Sequence, residues 1–130
     1  MNYKLQAEAL IKWNDKNLLA SADLKKEDLA IYFADSFEVK ANGRYHQANH
    51  DNYYEFLNQF RANIKRLHHE FHEQIEYGNI VVNVMTTTVT TTDDAQQIFE
   101  VMLLLKFNEQ GKVILWYEIY TVSEKSGTSR

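Results

Sequence analysis

One carboxylate lies inside an apolar stretch near the end of the chain, in Val113-Ile114-Leu115-Trp116-Tyr117-Glu118-Ile119-Tyr120. Read as a strand, this run puts Trp116, Glu118 and Tyr120 on one face, because strand side chains alternate. An ionised carboxylate is seldom placed on an apolar face unless it is paired or functional. Burial there disfavours the charged form and raises the pKa, and a carboxyl tuned in this way can act as general base or general acid. The competing reading is structural: a carboxylate bonded to Tyr32, Trp13 or a backbone donor.

The second concentration of titratable groups is His68-His69-Glu70-Phe71-His72. On a helix, His68 and His72 would share a face at a metal-ligand spacing. The His-Glu-x-x-His pattern of zinc proteases is absent, and solvated or hydrogen-bonded histidines are the preferred reading, with no metal expected. On a strand, His68, Glu70 and His72 share an outward face, and His69 is the histidine that turns toward Glu118 as its partner. His46 and His50 read as surface histidines. No glycine-rich phosphate loop and no serine triad appears, so neither a nucleotide nor a flavin is implied, and no cofactor is expected.

The rest of the composition narrows the class. The chain has 130 residues, a size that fits one domain. Hydrophobic residues make up 45% of it, which argues against intrinsic disorder. A net charge of -4, with only Arg61, Lys65 and Arg66 as a basic group on a helix face, argues against nucleic acid as a partner. Charge interrupts every apolar run well short of the roughly 18 residues of a membrane helix, and the N-terminal segment does not read as a signal peptide. With no cysteine there is no disulfide or thiolate chemistry, and cytoplasmic residence is the expectation. Eight Tyr, seven Phe and two Trp supply a core and could also line an apolar cavity for a small molecule.

The elements that must position these residues follow from hydrophobic period. Tyr3, Ala7, Leu10 and Trp13 predict a helix over 3–20, with Asp15 on its polar side. A second helix is expected from a cap at Asp23 to about Phe33, burying Leu29 and Tyr32. Phe37–Lys40 alternates as a strand, Asn42-Gly43 marks a hairpin turn, and Arg44–His46 returns. Asn49 or Asp51 then caps a third helix, whose apolar stripe is Tyr53, Leu57, Phe60, Ile64 and Leu67. Beyond Leu67 the period changes to that of strands, with turns at Gly78-Asn79, Asp93-Asp94 and Asn108–Gly111. Helices grouped before a meander indicate an α+β fold. Residues 1–122 form the single domain, and 123–130 are expected to be a polar, frayed tail.

A four-residue loop at Asn108–Gly111 pairs Phe107 with Lys112, Leu103 with Trp116, Val101 with Glu118 and Phe99 with Tyr120. These residues then share one side of the sheet. The other side carries Met102, Leu104, Leu115, Tyr117 and Ile119, and is also apolar. A sheet apolar on both faces calls for two covers. The helices are one, and a second copy of the chain is the expected other, giving a homodimer through the outer sheet face. A solvated β-surface is the alternative. A bulge at Gly111 would slip the register by one and regroup the faces.

Two stretches resemble the NTF2-like superfamily, in particular its SnoaL-like and ketosteroid-isomerase-like members. They are Phe33-Ala34-Asp35-Ser36-Phe37-Glu38-Val39, at the entry to the first strand, and Lys106-Phe107-Asn108-Glu109-Gln110-Gly111-Lys112-Val113, before the last. The resemblance covers about residues 5–122. It implies a cone: a curved antiparallel sheet wrapped around three N-terminal helices, with an apolar pocket at its open end, commonly in a dimer. By position, the isomerases' catalytic Asp falls near Ala41, their oxyanion acid near Leu103 and their oxyanion Tyr near Trp13. All three are replaced, which rules out steroid isomerisation by that mechanism. What remains is Glu118 and His69 as candidate catalytic groups. The candidate ligand-binding wall is Trp13, Tyr32, Tyr53, Leu57, Phe60, Phe99, Val101, Leu103, Trp116 and Tyr120. The implied functions are binding of a small, largely apolar molecule with cofactor-free isomerase, cyclase or dehydratase chemistry, or else a non-catalytic dimeric module with a filled cavity.

Overall fold

The computed structural model describes residues 2–123. Three helices, one of them a single turn, accompany a curved, open six-stranded sheet. Helix α1 spans Tyr3–Asn17, with the Asn2 side chain capping its first turn. The second helix is shorter than its sequence pattern predicts. A 3-10 turn at Lys26–Asp28 leads into α2, Leu29–Tyr32, and Asp23 caps neither. Strand β1, Phe33–Ala41, begins at once, since Phe33 and Phe37 both go into the core.

Asn42 and Gly43 both have positive φ, the backbone that a two-residue hairpin turn demands, and β2 returns over Arg44–Asn49. Asn49 caps α3, His50–Arg61, in a reciprocal capping box with Asn52. The helix stops at Arg61, so Ile64 and Leu67 belong to β3, Ile64–Tyr77, rather than to a longer helix. Arg61 fixes this corner by donating to the carbonyls of Leu19 and Ala22, each at 2.7 Å. Strands β4, Ile80–Thr91, β5, Gln96–Phe107, and β6, Val113–Val122, complete the meander.

The strand order is β2-β1-β6-β5-β4-β3. Strand β1 runs parallel to β6, so the sheet is mixed, where the resemblance implies an antiparallel one. Helix α1 lies against β3 and β4 on the concave side. Its start is tied to the β5–β6 hairpin: Tyr3 stacks on Phe107, and Gln6 donates to the Gly111 carbonyl at 3.2 Å. Its end reaches β3.

The β5–β6 register differs from the four-residue-loop count by two residues. Leu103 faces Glu118, Leu105 faces Trp116 and Val101 faces Tyr120, with an irregularity between Lys106 and Phe107. Gly111, at φ 77°, and Asn108, which takes the amides of Gln110 and Lys112, shape a longer turn. A slip of two preserves which side chains share a face, so the expected inner and outer sets stand. Ser123, expected in a frayed tail, is buried, and its N–H donates to Ile98 at 2.7 Å. The remainder of that tail, 124–130, lies outside the described residues.

Candidate functional site

Glu118 sits in the middle of the concave wall. Its neighbours in the sheet are Leu103 on β5 and Ala41 on β1, so one row across three strands reads Ala41, Glu118, Leu103. Those flanking residues occupy the two positions where the resemblance would put the isomerases' carboxylates, and the single carboxyl stands between them. Trp116, two residues earlier on the same face, donates its indole N–H to Glu118 Oε1 at 3.2 Å. The donor is therefore Trp116, and not Tyr32, Trp13 or a backbone group. Burial pushes the Glu118 carboxyl above its ordinary range, and the Trp116 hydrogen bond and the nearby His69 offset part of that rise. Burial likewise raises the Tyr53 hydroxyl, with the negative charge of Glu118 as a second cause, which puts the two groups within electrostatic reach.

His69 lies on β3, and its ring Nδ1 is 2.5 Å from Asp15 Oδ1 on α1. The other oxygen of Asp15 accepts from the His69 backbone N–H at 3.2 Å. A carboxylate oxygen accepts, so Nδ1–H is the donor of this bond and Nε2 is the ring nitrogen turned away from Asp15. Nε2 has no hydrogen-bond partner among the described residues. Asp15 also bonds an edge-strand amide, so the pair has a structural use as well. Its participation was missed in the sequence, where Asp15 reads as polar-side. The signal was the four-residue ladder Ala7, Ile11, Asp15 on the face of α1 that packs on the sheet.

Nine of the ten residues expected to form a wall belong to the hydrophobic core or pack against it. Trp13 is buried and packs against half-buried Tyr32 with centroids 5.6 Å apart. Tyr53 and Leu57 are buried on α3, and Val101, Leu103 and Trp116 on the sheet. Phe99 and Tyr120 meet edge-to-face at 5.7 Å, as expected of a shared face. Phe60 is the exception. It is 42% exposed and stacks on Phe56 along the outside of α3, because the apolar stripe ends when the helix does. The deep end of the cone is occupied by the rings of Phe33, Phe37, Tyr53 and Trp116.

His68 and His72 are exposed on β3, and His72 bonds Thr86 on the outer face. His46 is exposed and bonds Asn52, while His50 reaches the Phe33 carbonyl at 3.1 Å and ties α3 to β1. Among the described residues no group of three or more His, Asp or Glu is arranged to hold a metal. No helix among them is long and apolar enough to cross a membrane. A surface depression lined by Leu24, Lys26, Asp51 and Tyr54 lies on the helical side, is bridged by the Lys26–Asp51 ion pair, and contains none of the groups above.

The three helices and the open, curved, mixed six-stranded sheet match the NTF2-like class of α+β cones. Within that class the SnoaL-like domain family matches residues 12–116, and the chain belongs to that family. Solved structures agree on the fold. A candidate SnoaL-like polyketide cyclase from Shewanella denitrificans OS-217 superposes with a TM-score of 0.74 at 10% identity, over 95% of this chain and 92% of its own. A candidate polyketide cyclase from Acidithiobacillus ferrooxidans gives 0.69 at 15% identity, over 88% and 87%. An LEH-like epoxide hydrolase from M. tuberculosis gives 0.60 at 15% identity, over 75% and 74%. No curated protein sequence matches the chain.

Proposed function

We propose that this SnoaL-like domain binds a small, largely apolar molecule in its cone and performs cofactor-free proton transfer on it, of the isomerase, cyclase or dehydratase type. The observation that carries this reading is an Asp15-held imidazole and a Trp116-bonded carboxyl on the same inner face of the sheet. One is His69, held by Asp15 through both its ring Nδ1 and its backbone N–H. The other is Glu118, whose carboxyl burial keeps in the protonated form to higher pH than usual. An imidazole and a carboxyl sharing one face are groups that can pass a proton to and from a bound molecule. The cyclase and hydrolase names among the structural neighbours are compatible with it.

The test is deuterium uptake from D2O into a bicyclic ketone, 2-tetralone, followed by proton NMR. Catalysed exchange at the carbon beside the carbonyl is expected from the wild type, with His69→Gln and Glu118→Gln each slower by at least about tenfold. Exchange no faster than in buffer, together with no saturable binding of the ketone, would overturn the reading. The filled deep end of the cone supports the alternative of a non-catalytic module, and that outcome would favour it.

We also infer that the outer sheet face pairs with a second copy of the chain. Met102 is 55% exposed and Ile119 52%, and Ile75, Tyr77 and Tyr117 are exposed on the same face. An apolar surface spread over strands β3, β5 and β6 is unusual for a face left in water. A dimer mass by light scattering at micromolar concentration is expected, and a monomer mass would overturn the pairing.

A further inference from the structure

Among the described residues, the concave face holds one buried polar side chain whose hydroxyl has no partner. From Ile80 to Thr88, strand β4 alternates, with Val81, Asn83, Met85 and Thr87 turned inward. Asn83 is satisfied: it donates to the Leu103 carbonyl at 3.1 Å and accepts from Gln74 at 2.8 Å. Thr87 is not. It is 6% exposed, and its hydroxyl has no hydrogen-bond partner among the described residues. A buried hydroxyl left unbonded is a standing cost to the fold, and β-branched Val would fill the same space without it. Thr87 also sits directly across from His69 in the β3–β4 ladder and from Phe99 in the β4–β5 ladder. Cross-strand neighbours on one face keep their Cβ atoms about 5 Å apart, so Thr87 and His69 are adjacent side chains on the inner face.

We propose that Thr87 is a ligand-binding residue that donates its hydroxyl proton to a carbonyl oxygen of the bound molecule. The proposal rests on the reading of the cone as a ligand site and sharpens its substrate class: an uncharged, ring-sized apolar ketone or related carbonyl compound. Such a molecule lays its ring on Phe99, Val101 and Tyr120 and turns its oxygen toward β4. In that pose the carbon beside the carbonyl is presented to His69, and the Thr87 hydrogen bond polarises the carbonyl. Thr87 therefore selects for an oxygen at one end of the ligand, a preference that the apolar wall cannot supply by shape.

A matched probe pair tests this: 2-acetylnaphthalene, which carries the carbonyl, and 2-ethylnaphthalene, which has nearly the same shape without it. Binding is read by quenching of Trp13 and Trp116 fluorescence. In Thr87→Val the affinity for 2-acetylnaphthalene is expected to fall about five- to tenfold, the span of one net hydrogen bond. Affinity for 2-ethylnaphthalene stays level, and Thr87→Ser, which keeps the hydroxyl, retains ketone binding. Thr87→Val should melt at the wild-type temperature or about 2–4 °C higher, because it removes an unbonded buried hydroxyl. Equal behaviour of both probes in Thr87→Val overturns the proposal, whether both are unchanged or both weakened, and so does a loss of thermal stability. If neither probe binds the wild type, the ligand-pocket reading itself falls. If both bind and only the Thr87 dependence is missing, that reading survives and this one does not.

Discussion

The β5–β6 hairpin has two faces of similar composition and different surroundings. The inner one carries Phe99, Val101, Leu103, Leu105, Trp116, Glu118 and Tyr120, and the outer one Met102, Leu104, Leu115, Tyr117 and Ile119. Inside, Leu103 and Leu105 are fully buried, and the only carboxyl has a tryptophan donor and a histidine in electrostatic range. Outside, Met102, Tyr117 and Ile119 are exposed, and the polar contacts are of the surface kind, such as Lys40 over the Tyr117 ring at 5.4 Å. Apolar content alone does not distinguish a core from an interface. What distinguishes them is what the helices cover.

The comparison makes graded predictions. Leu103→Ala, at 0% exposure, should destabilise the fold by about 2–5 kcal/mol in urea unfolding. A loss no larger than that of an outer-face variant would break the distinction between the two faces. Asp15→Asn removes a charge-assisted bond at the inner rim and should cost about 1.5–3 kcal/mol. Its effect on 2-tetralone exchange should match that of His69→Gln, since the imidazole loses the group that orients it.

The Glu118 effect depends on pH. Its folded pKa is raised, so folding favours the protonated carboxyl. The favourable contribution is present below the ordinary value of 4.5 and is lost as pH rises through the folded value. Glu118→Gln stays neutral and can still accept from Trp116. Its stability relative to wild type should therefore grow with pH across that window and level off above it. A pH-independent difference would mean that the carboxyl is not buried as the inner face requires. Ile119→Lys is the smallest perturbation to the fold, within about 0.5 kcal/mol at an exposed position. If the outer face is an interface, the same change should halve the mass seen by light scattering while the far-ultraviolet spectrum stays fixed.

Much of this architecture is legible in the chain. The period-two alternation of Trp116, Glu118 and Tyr120, and the turn pairs Asn42-Gly43 and Gly78-Asn79, give the hairpins and the facing sets. Those sets survived a two-residue error in register, because such a slip leaves facing unchanged. Phe60 was misjudged because helical spacing continued on paper through Ile64 and Leu67, whereas the chain leaves the helix at Arg61. The charge of Asp15 places it on the polar side of α1, and only β3, packed opposite, supplies the His69 that it bonds.

By itself the sequence determined the kinds of elements, their order, the turns and the side of the sheet on which Glu118 stands. These are local properties, set by backbone preference and by alternation over a few residues. Only the tertiary structure decided that Asp15 meets His69, 54 residues away, that β1 joins β6 in parallel, and that Thr87, across the ladder from His69, lies buried with its hydroxyl unbonded among the described residues. Those contacts depend on how far the sheet curls and where α1 crosses it. A bulge between Phe71 and Glu73 adds to this by leaving His69 on the inner face and turning Ile75 and Tyr77 outward. Curvature and crossing are properties of the whole packed assembly, and no short stretch of residues encodes them.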